Sequence, residues 1–195
     1  MRLFVALDID DSIRSRIARF LDGVRESAPD ARWARPESLH VTLKFIGEQS
    51  EEEIAKIKPA LETVAVETFE MNFRGYGFFP GASAPRVFWI GVDGGTRLAS
   101  LAASVDETLA LLGIPKEEYA FNAHLTLARG GRGSGSPHKQ KSDRANSSFQ
   151  RLQERLTALP APEFGTMAAR EFFLYQSQTL PGGSKYTKLA GFALR

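Results

Sequence analysis

The chain has 195 residues, of which 43% are hydrophobic and 25% charged, with a formal net charge of +2 and a pI of about 9.0. Those values suit one globular domain, or two closely packed lobes. The absence of cysteine excludes disulfides, thiolate ligands and a cysteine nucleophile, while the charge balance permits a nucleic-acid partner without identifying one.

In chain order, Leu3 to Ile9 reads as a strand of large apolar residues. Asp8, Asp10 and Asp11 end that apolar opening, which is wrong for a secretory signal, and no run approaches a membrane span. A cytoplasmic chain without a membrane association is therefore expected, and a monomer. Asp11 or Ser12 can cap a helix with Ile13, Ile17, Phe20, Leu21 and Val24 on its inner stripe. His40-Val41-Thr42-Leu43 reads as the next strand. A helix from Glu51 to Thr63 follows, burying Ile54, Ile57 and Leu61, then strands Val66–Phe73 and Tyr76–Phe79. Pro80 to Pro85 is a turn-rich joint.

The second half repeats this order. Strand Val87–Val92 precedes a helix starting near Thr96, with Leu98, Leu101, Ala102, Val105, Leu109 and Leu112 inward, stopped by Gly113 and Pro115. His124-Leu125-Thr126-Leu127 reads as a strand. Gly130 to Ser148 is a polar loop, and a helix from Ser147 to about Leu159 leads to strands Arg170–Gln176 and Tyr186–Leu194. The pattern predicts an α+β chain, residues 1–195 forming one bilobal domain in which two antiparallel sheets flank a central groove with helices outside.

Subtracting 40 from 124 gives an offset of 84 between the two His-x-Thr-Leu segments. The same offset carries Arg2 to Arg86, Phe4 to Phe88 and Gly47 to Gly131, which defines an internal repeat of approximately 2–47 and 86–131. Side chains alternate along a strand, so His40 shares a face with Thr42, and His124 with Thr126, while the intervening apolar residues enter the core. Duplicated lobes commonly pack with approximate two-fold symmetry, which lets equivalent strands face each other across a cleft. Two imidazoles on opposite walls suit in-line displacement at phosphorus, where nucleophile and leaving group lie on opposite sides. One removes a proton from water and the other protonates the departing oxygen. Each threonine hydroxyl can donate to a non-bridging phosphate oxygen.

Metal ligation is poorly supplied: no cysteine, no His-Glu-x-x-His, and no carboxylate cluster beside either histidine in sequence. No cofactor is expected. His138 has no repeat partner, and Gly130 to Gly135 lacks the strand-to-helix context of a phosphate-binding loop.

The chain resembles the two-histidine phosphoesterase superfamily and, within it, the bacterial and archaeal RNA 2',3'-cyclic phosphodiesterases, also described as 2'-5' RNA ligases. The likeness runs through Arg2-Leu3-Phe4-Val5-Ala6, His40 to Glu48, Phe121 to Arg129, Gly183 to Leu189 and Phe192-Ala193-Leu194. It implies a bilobal fold with a groove between lobes, no metal, and hydrolysis of the cyclic phosphate end of RNA to a terminal 2'-phosphate. It also implies that His40 donates the proton, His124 accepts one, Thr42 and Thr126 bind phosphate, and Arg129 is a basic substrate-binding position after the second motif. Strand alternation puts Arg129 opposite His124, so its role calls for a bend near Gly130 or Gly131. Phe4, Phe45, Phe78, Phe79, Trp89 and Tyr119 are candidates for base stacking or core, and Arg132, Lys139, Lys141 and Arg144 for RNA-backbone contact. The alternatives are a two-histidine enzyme for small cyclic nucleotides and a noncatalytic RNA-end binding protein.

Overall fold

The computed structural model describes residues 1–130, 149–181 and 183–195. His138 and the loop cations Arg132, Lys139, Lys141 and Arg144 lie outside the described residues. The strands are β1 (Arg2–Leu7), β2 (Arg32–Trp33), β3 (Val41–Glu48), β4 (Phe69–Phe79), β5 (Val87–Asp93), β6 (His124–Arg129), β7 (Glu163–Ala169), β8 (Glu171–Leu180) and β9 (Gly183–Ala193). The α-helices are α1 (Asp11–Val24), α2 (Glu51–Glu62), α3 (Gly95–Ala110) and α4 (Gln150–Thr157). One sheet has the order β3-β1-β8-β9 and the other β2-β6-β5-β4-β7, with every pair antiparallel. This is the expected α+β architecture of two antiparallel sheets.

The sheets do not follow the halves of the chain. β4 leaves the first half to join the second sheet, while β8 and β9 return from the second half to the first. Helices are exchanged as well: α1 packs on β7 of the second sheet, and α3 packs on β3 of the first. A single apolar cluster joins Val5 and Leu43 with Phe88 and Leu125, so one core serves both sheets.

Local chemistry explains the element ends. Ser50 and Glu53 form a reciprocal capping box that starts α2, and Ile54, Ile57 and Leu61 are buried as its spacing predicts. The first helix is capped by Asp10 rather than Asp11 or Ser12, with its carbonyl accepting from the Arg14 amide. Leu112 lies past the end of α3 and is 41% exposed instead of joining the stripe. The two predicted strands Val66–Phe73 and Tyr76–Phe79 are one strand, β4. Gly75 takes a φ of 68° at a register shift, so the pairing with β5 is bulged and not broken. β2 and β7 carry no strong alternation and escaped the sequence reading; β7 completes the second sheet beyond β4.

Pairing register also corrects the repeat. Thr42 pairs with Ala6, and Thr126 pairs with Trp89. The first strand of each half therefore corresponds at an offset one residue short of 84, although the histidine strands keep 84. Phe4 and Phe88 are not equivalent. Phe4 lies against the His40 ring at a centroid distance of 4.8 Å, whereas Phe88 is in the main core. A slip of one residue turns a strand side chain to the other face, and this is such a slip.

Candidate active site

β3 and β6 approach each other where the sheets meet, and each delivers one histidine. The Nδ1 of His40 lies 2.7 Å from the Ser38 carbonyl oxygen, and the Nδ1 of His124 lies 2.7 Å from the Asn122 carbonyl oxygen. A carbonyl can only accept, so Nδ1 carries the hydrogen in both rings. Nε2 is then left to bind or release a proton at each histidine. Both anchors come from the residue two positions earlier, the same local geometry built twice.

The two rings sense one another. Burial is the main cause that lowers the pKa of His40, and the charges of His124 and Arg129 add to it. The Ser38 carbonyl and the Asp8 carboxylate act in the opposite direction. His124 is lowered by burial first and by Arg129, and raised by the Asn122 carbonyl. His40, His124 and Arg129 thus occupy one electrostatic neighbourhood, although they come from both sheets.

Arg129 reaches that neighbourhood by a route the alternation rule missed. In β6, Thr126 pairs with Trp89 and Ala128 with Phe88, so Leu127 is an extra residue in the ladder. This β-bulge buries both Leu127 and Ala128 and returns Arg129 to the histidine face. No bend at Gly130 or Gly131 is needed. The Arg129 Nη1 atom is shielded from solvent and has no hydrogen-bond partner among the described residues, an arrangement suited to an incoming anion.

β3 contains the same bulge at Leu43, since Ala6 pairs with Thr42 and Val5 with Lys44. Here it turns Lys44 inward and Phe45 outward. The buried Lys44 Nζ sits 2.5 Å from Asp106 Oδ1 on α3 and 2.8 Å from the Pro115 carbonyl oxygen. Asp106 also accepts from the Glu117 amide at 3.2 Å. That knot pins the irregular segment before β6, the segment that ends at Asn122 and His124.

Thr42 and Thr126 are half-buried and take the histidine face by strand alternation. Trp89 lies opposite Thr126, with its ring laid over Gly77, where any Cβ would come within 2.2 Å of the indole. Its Nε1 is a second shielded donor without a partner among the described residues. Phe79 meets His124 edge-on at 4.9 Å. Among the remaining aromatic candidates, Phe45 and Tyr119 are exposed, while Phe78 packs into the core against Phe88 and Phe149.

Several contacts around His40 were not singled out from the sequence. Tyr186 stands edge-on at 5.1 Å, and Tyr175 is 6.3 Å away. The Tyr175 hydroxyl donates to Asp8 Oδ1, and Lys188 Nζ sits 2.5 Å from Asp8 Oδ2. Burial and the bond to Asp8 push the Tyr175 phenol far above its usual range, so it remains a donor. Continuing the β1–β3 register one step sets Asp8 opposite His40; the corresponding partner of His124 is Gly91. Only the pairing could have revealed Asp8, which lies outside both motifs. Among the described residues there is no group of three His, Cys, Asp or Glu side chains placed to hold a metal ion. No helix among them is long and apolar enough to cross a membrane.

Known proteins resemble this chain in sequence and in fold. The model of the LigT-like phosphoesterase family matches twice, over residues 7–89 and 90–186. The RNA 2',3'-cyclic phosphodiesterase of Archaeoglobus fulgidus is 38% identical over 192 residues, covering 98% of this chain and 99% of that protein. The protein of the same name from Methanothermobacter thermautotrophicus is 30% identical over 197 residues, covering 100% and 99%. The crystal structure of E. coli LigT complexed with 3'-AMP superposes with a TM-score of 0.76 at 25% identity, covering 99% of this chain and 97% of LigT. With a doubled motif, a paired histidine anchor and a family model spanning both halves, the chain belongs to the LigT-like phosphoesterase family.

Proposed function

We propose that this chain hydrolyses RNA ending in a 2',3'-cyclic phosphate, and that His124 is the base and His40 the acid. The observation that carries the reading is the pair of identically anchored imidazoles, each with Nε2 left for proton transfer, beside the shielded Nη1 of Arg129, which has no partner among the described residues. Neutral His124 takes a proton from water through Nε2 as the water oxygen attacks phosphorus. The P–O3' bond breaks on the opposite side, and the His40 imidazolium gives its Nε2 proton to O3'. The products are a 2'-phosphate and a 3'-hydroxyl. Exchange with solvent then returns His124 to the neutral and His40 to the protonated form. Thr42, Thr126 and Arg129 donate to the non-bridging oxygens, where charge is held.

Asp8 supports the proton assignment. Two equally anchored histidines have no intrinsic order, but only His40 has a carboxylate among the groups that raise it. Relatives named RNA 2',3'-cyclic phosphodiesterase cover nearly the whole chain, which supports RNA as the substrate class. The test is turnover of an RNA with a 2',3'-cyclic phosphate end in the presence of EDTA, with the product analysed for phosphate position. A terminal 2'-phosphate formed without metal is expected. Loss of turnover that a divalent ion restores would overturn the acid–base mechanism, and a 3'-phosphate product would reverse the choice of leaving oxygen.

A further inference from the structure

Beside the His40 wall lies a hollow of about 310 Å³, between the Pro36–Ser38 turn and the β8–β9 end of the first sheet. Its lining includes Arg35, Glu37, Leu180, Lys185 and Tyr186. It adjoins the active site through two shared residues: Ser38, whose carbonyl anchors His40, and Tyr186, whose ring stands against the same imidazole. Leu180 is one of the few large apolar side chains exposed among the described residues, at 47%. The larger hollow, about 380 Å³ at the start of α3, is lined by Glu70 and Asp93 and shares no residue with either histidine wall.

The direction of the reaction says which wall the RNA body must follow. The leaving O3' belongs to the terminal ribose, so that ribose lies on the side of the acid. The strand attached through its 5' oxygen continues from that side, while water approaches from the side of His124. The hollow beside His40 is where that strand would next be met. An apolar floor with two cations at hand suits one nucleotide, with its base on Leu180 and Tyr186 and its phosphodiester near Arg35 and Lys185.

The geometry points to this hollow as a subsite for the nucleotide preceding the cyclic end, which makes the enzyme one for oligonucleotide ends in preference to cyclic mononucleotides. The assignment rests on the proposed hydrolysis and on His40 as the acid. Glu37 in the same lining repels a phosphodiester set beside it and leaves a carboxylate acceptor for the amino group of a base.

The experiment compares kcat/KM for adenosine 2',3'-cyclic phosphate with that for the dinucleotide ApA bearing the same end. The wild type is expected to favour the dinucleotide, with an advantage that shrinks as salt rises. In the variant carrying Arg35→Glu and Lys185→Glu, turnover of the dinucleotide should fall about five- to tenfold while the mononucleotide changes by less than about twofold. Equal losses on both substrates would mean that these residues act on His40 through the shared wall, and would overturn the subsite. An unchanged preference in the variant, or none in the wild type, would overturn it too. If the wild type turned over neither substrate, the hydrolase reading would fail separately. Affinities for 2'-phosphorylated ApA and 2'-AMP would then decide the subsite: tighter dinucleotide binding that the variant loses supports it, and equal binding sinks it.

Discussion

The two histidine walls share a backbone plan and differ in charge. Each imidazole is tied through Nδ1 to the carbonyl two residues before it, and each strand bulges at the leucine that follows His-x-Thr. Around His40 stand Asp8, Phe4, Tyr175, Tyr186 and Lys188. Around His124 stand Phe79, Trp89 and Arg129, with Gly91 in the place of Asp8. The bulge delivers Phe45 to the histidine face of β3 but Arg129 to that of β6. Duplication accounts for two imidazoles with the same anchor; divergence of their neighbours supplies the electrostatic difference on which the proposed order of proton transfer rests. Burial disfavours the charged form of both imidazoles, but only at His40 does a carboxylate, Asp8, oppose it, while His124 stands beside the cation Arg129.

The largest effects should come from the histidines themselves. Replacing either by alanine should lower turnover by about 10²- to 10⁴-fold, the usual contribution of one general acid or base. A substrate with an activated leaving group at O3' should partly rescue His40→Ala and leave His124→Ala unaided. Rescue of His124→Ala in preference would exchange the two roles.

Arg129→Met removes a charged donor from the transition state and should cost about 10²-fold or more in kcat. It also removes a charge that lowers the pKa of His124. That pKa should rise, so the limb of the kcat/KM profile that needs neutral His124 should move to higher pH. A loss of rate with no movement of that limb would place Arg129 outside the histidine neighbourhood.

A smaller and more selective effect is expected at Asp8. Its carboxylate raises the pKa of His40, so Asp8→Asn should lower it. The alkaline limb, which requires protonated His40, should then begin at lower pH while the acid limb stays in place. Lys188→Met frees Asp8 of its ion pair and should shift the alkaline limb the other way. Parallel shifts in the two variants would contradict an electrostatic role.

Lys44 provides the comparison's structural control. Removing this buried ammonium leaves Asp106 unpaired, so Lys44→Met should destabilise the fold by about 1–3 kcal/mol in urea melts. Neither limb of the pH profile should move.

These residues also mark what could be read from the chain alone. That His40 and His124 stand at two strands that meet is legible in the chain, because a motif that means little once becomes informative when it recurs with its apolar alternation. Arg129 was named, but its face was misread. Alternation assumes one residue per ladder step, and nothing in Leu127 announces a bulge. The equivalence of Phe4 with Phe88 failed for a related reason, because a one-residue offset is invisible until strand pairing counts it. Asp8, Tyr175, Tyr186 and Lys188 come together only because β8 and β9 cross back beside β1. Long-range strand order of that kind is set by the whole core, not by the local period of any segment.

The exchange of strands between the sheets has a mechanical result. The chain passes from one sheet to the other between β1 and β2, again before β3, and again before β4, and it returns between β7 and β8. Neither wall is a detachable body on a single tether, and one apolar cluster lies under both. Moving the histidines apart means shearing that shared core, where a hinged enzyme would only flex a linker. The separation of the two imidazoles is therefore set by the packing of that shared core.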